Sequence, residues 1–188
     1  MIIDLTSQEL SIENLRPHPE LYAFLKANSK EELLKFAPAV KKTYQVNTLY
    51  YGHNQAAGAL LVTLYFGKAQ HAELLLERLP KEEIDRLHAY DNLALRVAAQ
   101  NGHTAIVKEL LTYQAVQDSI AAEDNYALRV AAQQGHLAIV KELLTYQAVQ
   151  DSIAAEDNYA LRVAAQQGHL AIVKELLTYQ AVQDSIAA

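Results

Sequence analysis

Three histidines, His103, His136 and His169, stand 33 residues apart, and each follows a glycine. Imidazoles in register suggest metal ligands. The carboxylate pairs Glu123–Asp124 and Glu156–Asp157, lying near Arg129 and Arg162 in the sequence, suggest an acid and a base. Spacing argues against both. Residues repeated in tandem sit on helices packed about 8 to 10 Å apart, whereas zinc needs its nitrogens at about 2 Å. Successive histidines therefore do not share an ion. General acid–base catalysis needs two groups whose surroundings push their pKa values apart, and repeated positions give repeated surroundings. The chain has no cysteine, which removes thiolate ligands, cysteine nucleophiles and disulfides. It also has no G-x-S-x-G, no H-E-x-x-H and no glycine-rich phosphate loop. The expectation is a protein without catalysis, cofactor or metal.

The elements that carry these residues are copies of one another. Asp124–Glu156, DNYALRVAAQQGHLAIVKELLTYQAVQDSIAAE, recurs unchanged over Asp157–Ala188, short only of its last glutamate. It recurs over Asp91–Glu123 with Leu93, Asn101 and Thr104 in place of Tyr126, Gln134 and Leu137. A tandem repeat of this period means stacked units sharing one continuous core. Leu128, Ala131 and Ala132, then Ile139, Val140, Leu143 and Leu144, recur at helical spacing. Two antiparallel helices are thus predicted, joined at Gln134 and Gly135. Glycine takes the left-handed position that ends the first helix, and Asp124 or Asn125 is expected to cap its start. The connecting AVQDSIAAED lacks the Gly and Asn-Gly chemistry of a tight hairpin. Because Val149 and Ile153 are spaced i and i+4, a short third helix or helical turn is predicted there.

Residues 51–90 read as a diverged copy once shifted by 35 positions, when Ala59 and Leu60 fall on Ala94 and Leu95, Val62 on Val97, Gly67 on Gly102, and Leu75 and Leu76 on Leu110 and Leu111. At a shift of 33, Leu87 falls on Ile120, and the connection between them is helix-prone after Pro80. Residues 1–50 show no repeat. Thr6 with Glu9 and Ser29 with Glu32 fit the capping box, Pro19 suits the first turn of a helix through Leu21, Tyr22, Phe24 and Leu25, and a second helix with Leu33, Leu34 and Phe36 runs to Pro38. Lys41 and Lys42 follow in a solvated turn. The expected organisation is a helical cap over 1–50, a diverged repeat over 51–90, and repeats over 91–123, 124–156 and 157–188.

Gly-His after the first helix, Ile-Val-x-x-Leu-Leu in the second, and the 33-residue period together resemble the ankyrin repeat, over residues 56–188. Tyr126-Ala127-Leu128-Arg129 stands where that family has T-P-L-H, and Gln147 where it has a glycine. The variant repeats are similar to those in ankyrin arrays of intracellular bacteria. The resemblance implies an all-α, ankyrin-like helical solenoid with an N-terminal helical cap, its hairpins replaced by short helices or turns. It implies that the Gly-His histidine is a structural hydrogen-bonding residue. It also implies a concave face that binds a protein partner: Ala122, Glu123, Asn125, Tyr126, Gln133 and Gln134, with Ala155, Glu156, Asn158, Tyr159, Gln166 and Gln167 one repeat on. The tyrosines have two readings, a staple between repeats or a projection from the groove.

A formal charge of −6 and a pI near 5.6 disfavour a phosphate-backbone ligand, so no nucleic acid is expected. No stretch has the roughly 18 apolar residues of a membrane span, and MIIDLTSQEL lacks the marks of a secretory signal. A cytoplasmic protein is expected, or one of the host cytosol if it is a secreted effector. Asp157–Ala188 is a verbatim internal repeat, so Ile172, Leu176, Leu177 and Ile186 are expected under an incompletely covered surface, leading either to fraying or to a two-fold homodimer. Two readings of function follow: a non-enzymatic protein–protein interaction module, and an engineered or structural repeat scaffold with no natural ligand.

Overall fold

The computed structural model describes residues 2–4, 11–29, 31–32, 35, 45–48, 52–54, 58–78 and 89–187. The chain forms two compact units, Met1–Tyr90 and Asp91–Ala188.

In the first unit, β1 (Ile2–Asp4) pairs in parallel with β2 (Gln45–Thr48), with Ile3 opposite Val46, and β2 pairs antiparallel with β3 (Gly52–Asn54), with Asn47 opposite His53. This small sheet is an addition to the helices expected over residues 1–50. Each strand is too short to show a period of two, and β1 finds its partner about forty residues away, so no local pattern announces it. A 3-10 turn at Ile12–Leu15 leads to α1 (Pro19–Lys26), which opens on Pro19 as expected and buries Leu21, Phe24 and Leu25. The exposed Glu13 carboxylate holds Lys26, Arg16 and the Tyr22 hydroxyl, and these three partners, Lys26 foremost, lower its pKa to about 2. At Ser29 one arm of the capping box is present, because the Glu32 N–H donates to Ser29 Oγ at 3.2 Å. The Glu32 carboxylate accepts instead from the Asn28 N–H at 2.9 Å. The Thr6–Glu9 box, Leu33, Leu34, Phe36, Pro38, Lys41, Lys42, Pro80 and Leu87 lie outside the described residues.

The first unit also holds a helix pair, α2 (Gly58–Tyr65) and α3 (Ala69–Arg78). Its turn places Gly67 at φ +64° and closes with a Lys68 N–H to Thr63 carbonyl bond of 3.1 Å. Here His71 is buried edge-on to the Phe24 ring, with centroids 5.0 Å apart and Nε2 unpaired.

The second unit is three turns of one motif. Its helices are α4 (Ala89–Gln100), α5 (Thr104–Leu110) and α6 (Gln114–Asp118), then α7 (Ala122–Gln133), α8 (Leu137–Leu143) and α9 (Gln147–Asp151), then α10 (Ala155–Gln166), α11 (Leu170–Leu176) and α12 (Gln180–Ala187). The short third helices α6, α9 and α12 stand where a hairpin would, as the Val and Ile spacing predicts. Each first helix ends in a Schellman turn: the His136 N–H reaches the Ala131 carbonyl at 2.9 Å and the Gly135 N–H the Ala132 carbonyl at 3.4 Å. Gly102, Gly135 and Gly168 sit at φ +76°, +80° and +75°, where a side chain costs roughly 1 to 2 kcal/mol. The core runs through Leu128, Ala131, Ile139, Val140, Leu143 and Leu144, all 2 % exposed or less. The alanines let the helices close up, and the larger side chains fill the space between repeats.

Candidate protein-binding face

The start of each first helix departs from the expected cap. Ala121 and Ala154 occupy the N-cap positions without a side-chain cap bond. Glu123, Asp124 and Asn125 instead form a left-handed turn, at φ 52°, 53° and 61°, repeated at Glu156, Asp157 and Asn158. Such a run is disfavoured for L-residues, least so for Asp and Asn, and its stabilisation comes from outside. The Asn125 side-chain NH2 donates to the Val149 carbonyl at 2.8 Å and to Ser152 Oγ at 2.9 Å, tying the turn to α9. Asn92 makes the same bond to the Val116 carbonyl at 2.7 Å. Arg129 Nη1 lies 3.5 Å from the Glu123 carbonyl, and Arg162 Nη1 donates to the Glu156 and Asp157 carbonyls at 3.3 and 3.1 Å.

Asn125 and Asn158 are buried, which corrects their place among the candidate contact residues. They fasten the turn that presents Glu123 and Glu156, and these two are exposed together with Asp124 and Asp157. Gln134, Gln166 and Gln167 are exposed and Gln133 is half-buried, at the opposite end of the same helices. Glu123 lies in the left-handed turn that precedes the regular part of α7 and Gln134 caps its far end, so the two stand at opposite ends of the element. The candidate residues thus form two exposed rows along the edges of the first helices. Because α7 packs against α10, both rows advance by one repeat in register.

Tyr126 and Tyr159 lie between the rows, half-buried, and act as staples. The Tyr126 ring has Arg96 over it at 4.2 Å and Arg129 at 5.3 Å, and the Tyr159 ring has Arg129 at 4.7 Å and Arg162 at 5.5 Å. Arginine and tyrosine thus alternate along the unit within cation–π range. This ladder was missed in the sequence, although its signal is present: tyrosine three residues before arginine on a helix, at the period of the repeat.

The histidines link repeats too. His136 Nε2 donates to the Gln100 carbonyl at 3.2 Å and His169 Nε2 to the Gln133 carbonyl at 3.0 Å. A carbonyl only accepts, so the ring carries its proton on Nε2. Each ring also lies against the preceding repeat's glycine: a Cβ at Gly102 would stand 2.6 Å from His136 Cε1, and one at Gly135 2.6 Å from His169 Cε1. A third set of links, Lys108 to Glu142 at 3.4 Å and Lys141 to Glu175 at 3.2 Å, joins second helices. Among the described residues no three His, Asp or Glu side chains gather to hold a metal ion.

Stacked helix pairs with a short third element, locked by glycine, histidine and a recurring period, define a helical repeat array. Residues 95–186 match the family model for ankyrin repeats in three copies. The chain is an ankyrin-repeat protein over that stretch. Among solved structures it is similar to an ankyrin repeat family protein from Legionella pneumophila, with 26 % identity and a TM-score of 0.59, over 90 % of this chain and 52 % of that one. The chain therefore spans about half the length of that relative. No curated protein matches it significantly.

Proposed function

We propose that the chain is a non-enzymatic protein-binding module that contacts its partner through the two exposed rows, Glu123, Gln133 and Gln134 with Glu156, Gln166 and Gln167, flanking Tyr126 and Tyr159. Ankyrin repeats generally mediate protein–protein interaction, and this supports the reading. The observation that carries it is the way the array spends its side chains. Histidines, arginines and buried asparagines are engaged in holding repeats together, while the Glu and Gln rows face outward at a fixed interval. The second unit has 6 Lys and Arg against 11 Asp and Glu, a formal charge of −5, which favours a partner surface rich in Lys, Arg and amide donors over nucleic acid. Among the described residues no helix is long and apolar enough to cross a membrane. We place the protein in the cytoplasm, or in a host cytosol if it is exported.

Affinity capture with the wild-type chain and with the Gln134→Arg, Gln167→Arg chain tests the reading. Partners retained by the first and lost by the second support it. An identical captured set contradicts it. One observation favours a second reading, a duplicated or designed scaffold without a natural ligand: exposed positions such as Ala138, Lys141, Thr145 and Gln147 are repeated as faithfully as buried ones at Ala171, Lys174, Thr178 and Gln180. Surface positions drift unless duplication is recent or deliberate. Scrambled synonymous codons between the repeats in the gene would point to design, and identical codons to duplication.

A further inference from the structure

We propose that His71 is a pH-sensitive latch within the first unit: its neutral ring seats α1 on the helix pair, and its protonation releases α1 while the second unit stays folded. The position is one that the other repeats give to isoleucine. At the shift of 35 that lays Gly67 on Gly102, His71 falls on Ile106, and α3 and α5 each open two residues before it. Ile106, Ile139 and Ile172 are each 2 % exposed or less, so this is a core position of the repeat. The first unit fills it with a titratable ring, 6 % exposed and edge-on to Phe24 of α1.

The surroundings suit a neutral imidazole and not an imidazolium. The Phe24 and Ala27 carbonyls at the end of α1 hydrogen-bond to the ring, and carbonyls can take the single N–H of the neutral form. Nε2 is buried without a hydrogen-bond partner, so it is the bare nitrogen. Protonation turns it into a buried N–H with no acceptor and adds a buried charge. Neighbouring charges do not offset this, because Lys68, on the turn before α3, has the same sign and acts on the ring. Glu73 and Glu77 of α3 are exposed, and Glu13 beside α1 is held by Lys26, Arg16 and Tyr22. His18 and Glu20 stand at the start of α1, away from Phe24, and Tyr65 closes α2. The carbonyls favour the proton, but burial and Lys68 outweigh them. The neutral ring's hold is therefore full above pH 6.5 and is lost as pH falls below it. A protonated ring is accommodated by turning to water, which breaks its contact with Phe24. The opening uncovers Leu21, Phe24 and Leu25, an apolar helix face that is fully buried at neutral pH.

Hydrogen exchange of the full chain from pH 7.5 to 5, with each amide's rate corrected for its intrinsic pH dependence, tests the proposal. In the wild-type chain the protection of α1 amides is expected to fall below pH 6.5, by at most about tenfold per pH unit for one proton. The amides of α8, in the second unit, are the control and are expected to hold. His71→Ile installs the residue of the other repeats and leaves His18 in place, and its α1 is expected to keep its protection. Ring-nitrogen magnetic resonance of the wild-type chain gives a reading that needs no variant: the His71 signal is expected to titrate together with the loss of α1 protection. Constant α1 protection down to pH 5, equal losses in α1 and α8, an equal α1 loss in His71→Ile, or opening of α1 while the ring stays neutral would overturn the proposal.

Discussion

Asp124–Glu156 and Asp157–Ala188 share every residue over 32 positions, yet Leu144 and Ile153 are 2 % and 3 % exposed while Leu177 and Ile186 are 37 % and 57 % exposed. Local sequence is held constant by the molecule itself, so the difference is the neighbour. The first two helices, the glycine turn and the left-handed Glu-Asp-Asn start are the same in both copies, since Glu156, Asp157 and Asn158 keep the φ values of Glu123, Asp124 and Asn125. What differs beside the following repeat is the burial of the outer leucine and isoleucine and the third helix, which ends at Asp151 in α9 but runs on to Ala187 in α12.

The largest expected effect follows from that burial. Leu144→Ala should cost about 2 to 5 kcal/mol by leaving a cavity between repeats, and Leu177→Ala well under half as much. Chemical denaturation of both variants in dilute protein checks this, and equal losses would erase the distinction between the two repeats. Acid should act on the other unit. Burial, followed by the charge of Lys68, lowers the His71 pKa below 6.5, so the unfolded chain takes up this proton more readily than the folded one. The neutral ring's contribution is then present above pH 6.5 and is lost as pH falls below it. Stability measured from pH 7.5 to 5 should decline for wild type and decline less for His71→Phe. Smaller still is the exposed Lys141–Glu175 link: Lys141→Ala should cost at most about 1 kcal/mol, less at high salt. Gln133→Ala should cost about 0.5 kcal/mol or less, because its carbonyl, not its side chain, receives His169.

Much of this was legible in the sequence because the residues concerned act at short range. A glycine two residues after Gln133 and the Val149–Ile153 spacing define a Schellman turn and a short helix through contacts within a few positions. The left-handed turn was not legible, and the expected Asp124 or Asn125 cap is absent. Asn125 is held by Val149 and Ser152, 24 and 27 residues away, so its conformation is decided by packing that no local pattern encodes. Asn125 and Asn158 leave the expected contact face for the same reason, since both are turned inward and buried. The two readings of the tyrosine depended on where the neighbouring arginine lay, which the repeat period alone leaves open.

The claim that neighbouring repeats, rather than the helices themselves, set what each residue does is tested most directly at two glycines of identical context. Gly135 and Gly168 both sit in the left-handed region, so alanine at either meets the same backbone cost of about 1 to 2 kcal/mol. Only at Gly135 would the added Cβ also meet the His169 ring, at 2.6 Å from Cε1, whereas at Gly168 nothing lies within 4 Å. Denaturant unfolding of Gly135→Ala and Gly168→Ala in dilute protein should give a loss larger for Gly135→Ala by about 1 to 3 kcal/mol, and the His169→Ala background should shrink that gap. Equal losses at the two glycines would contradict the account.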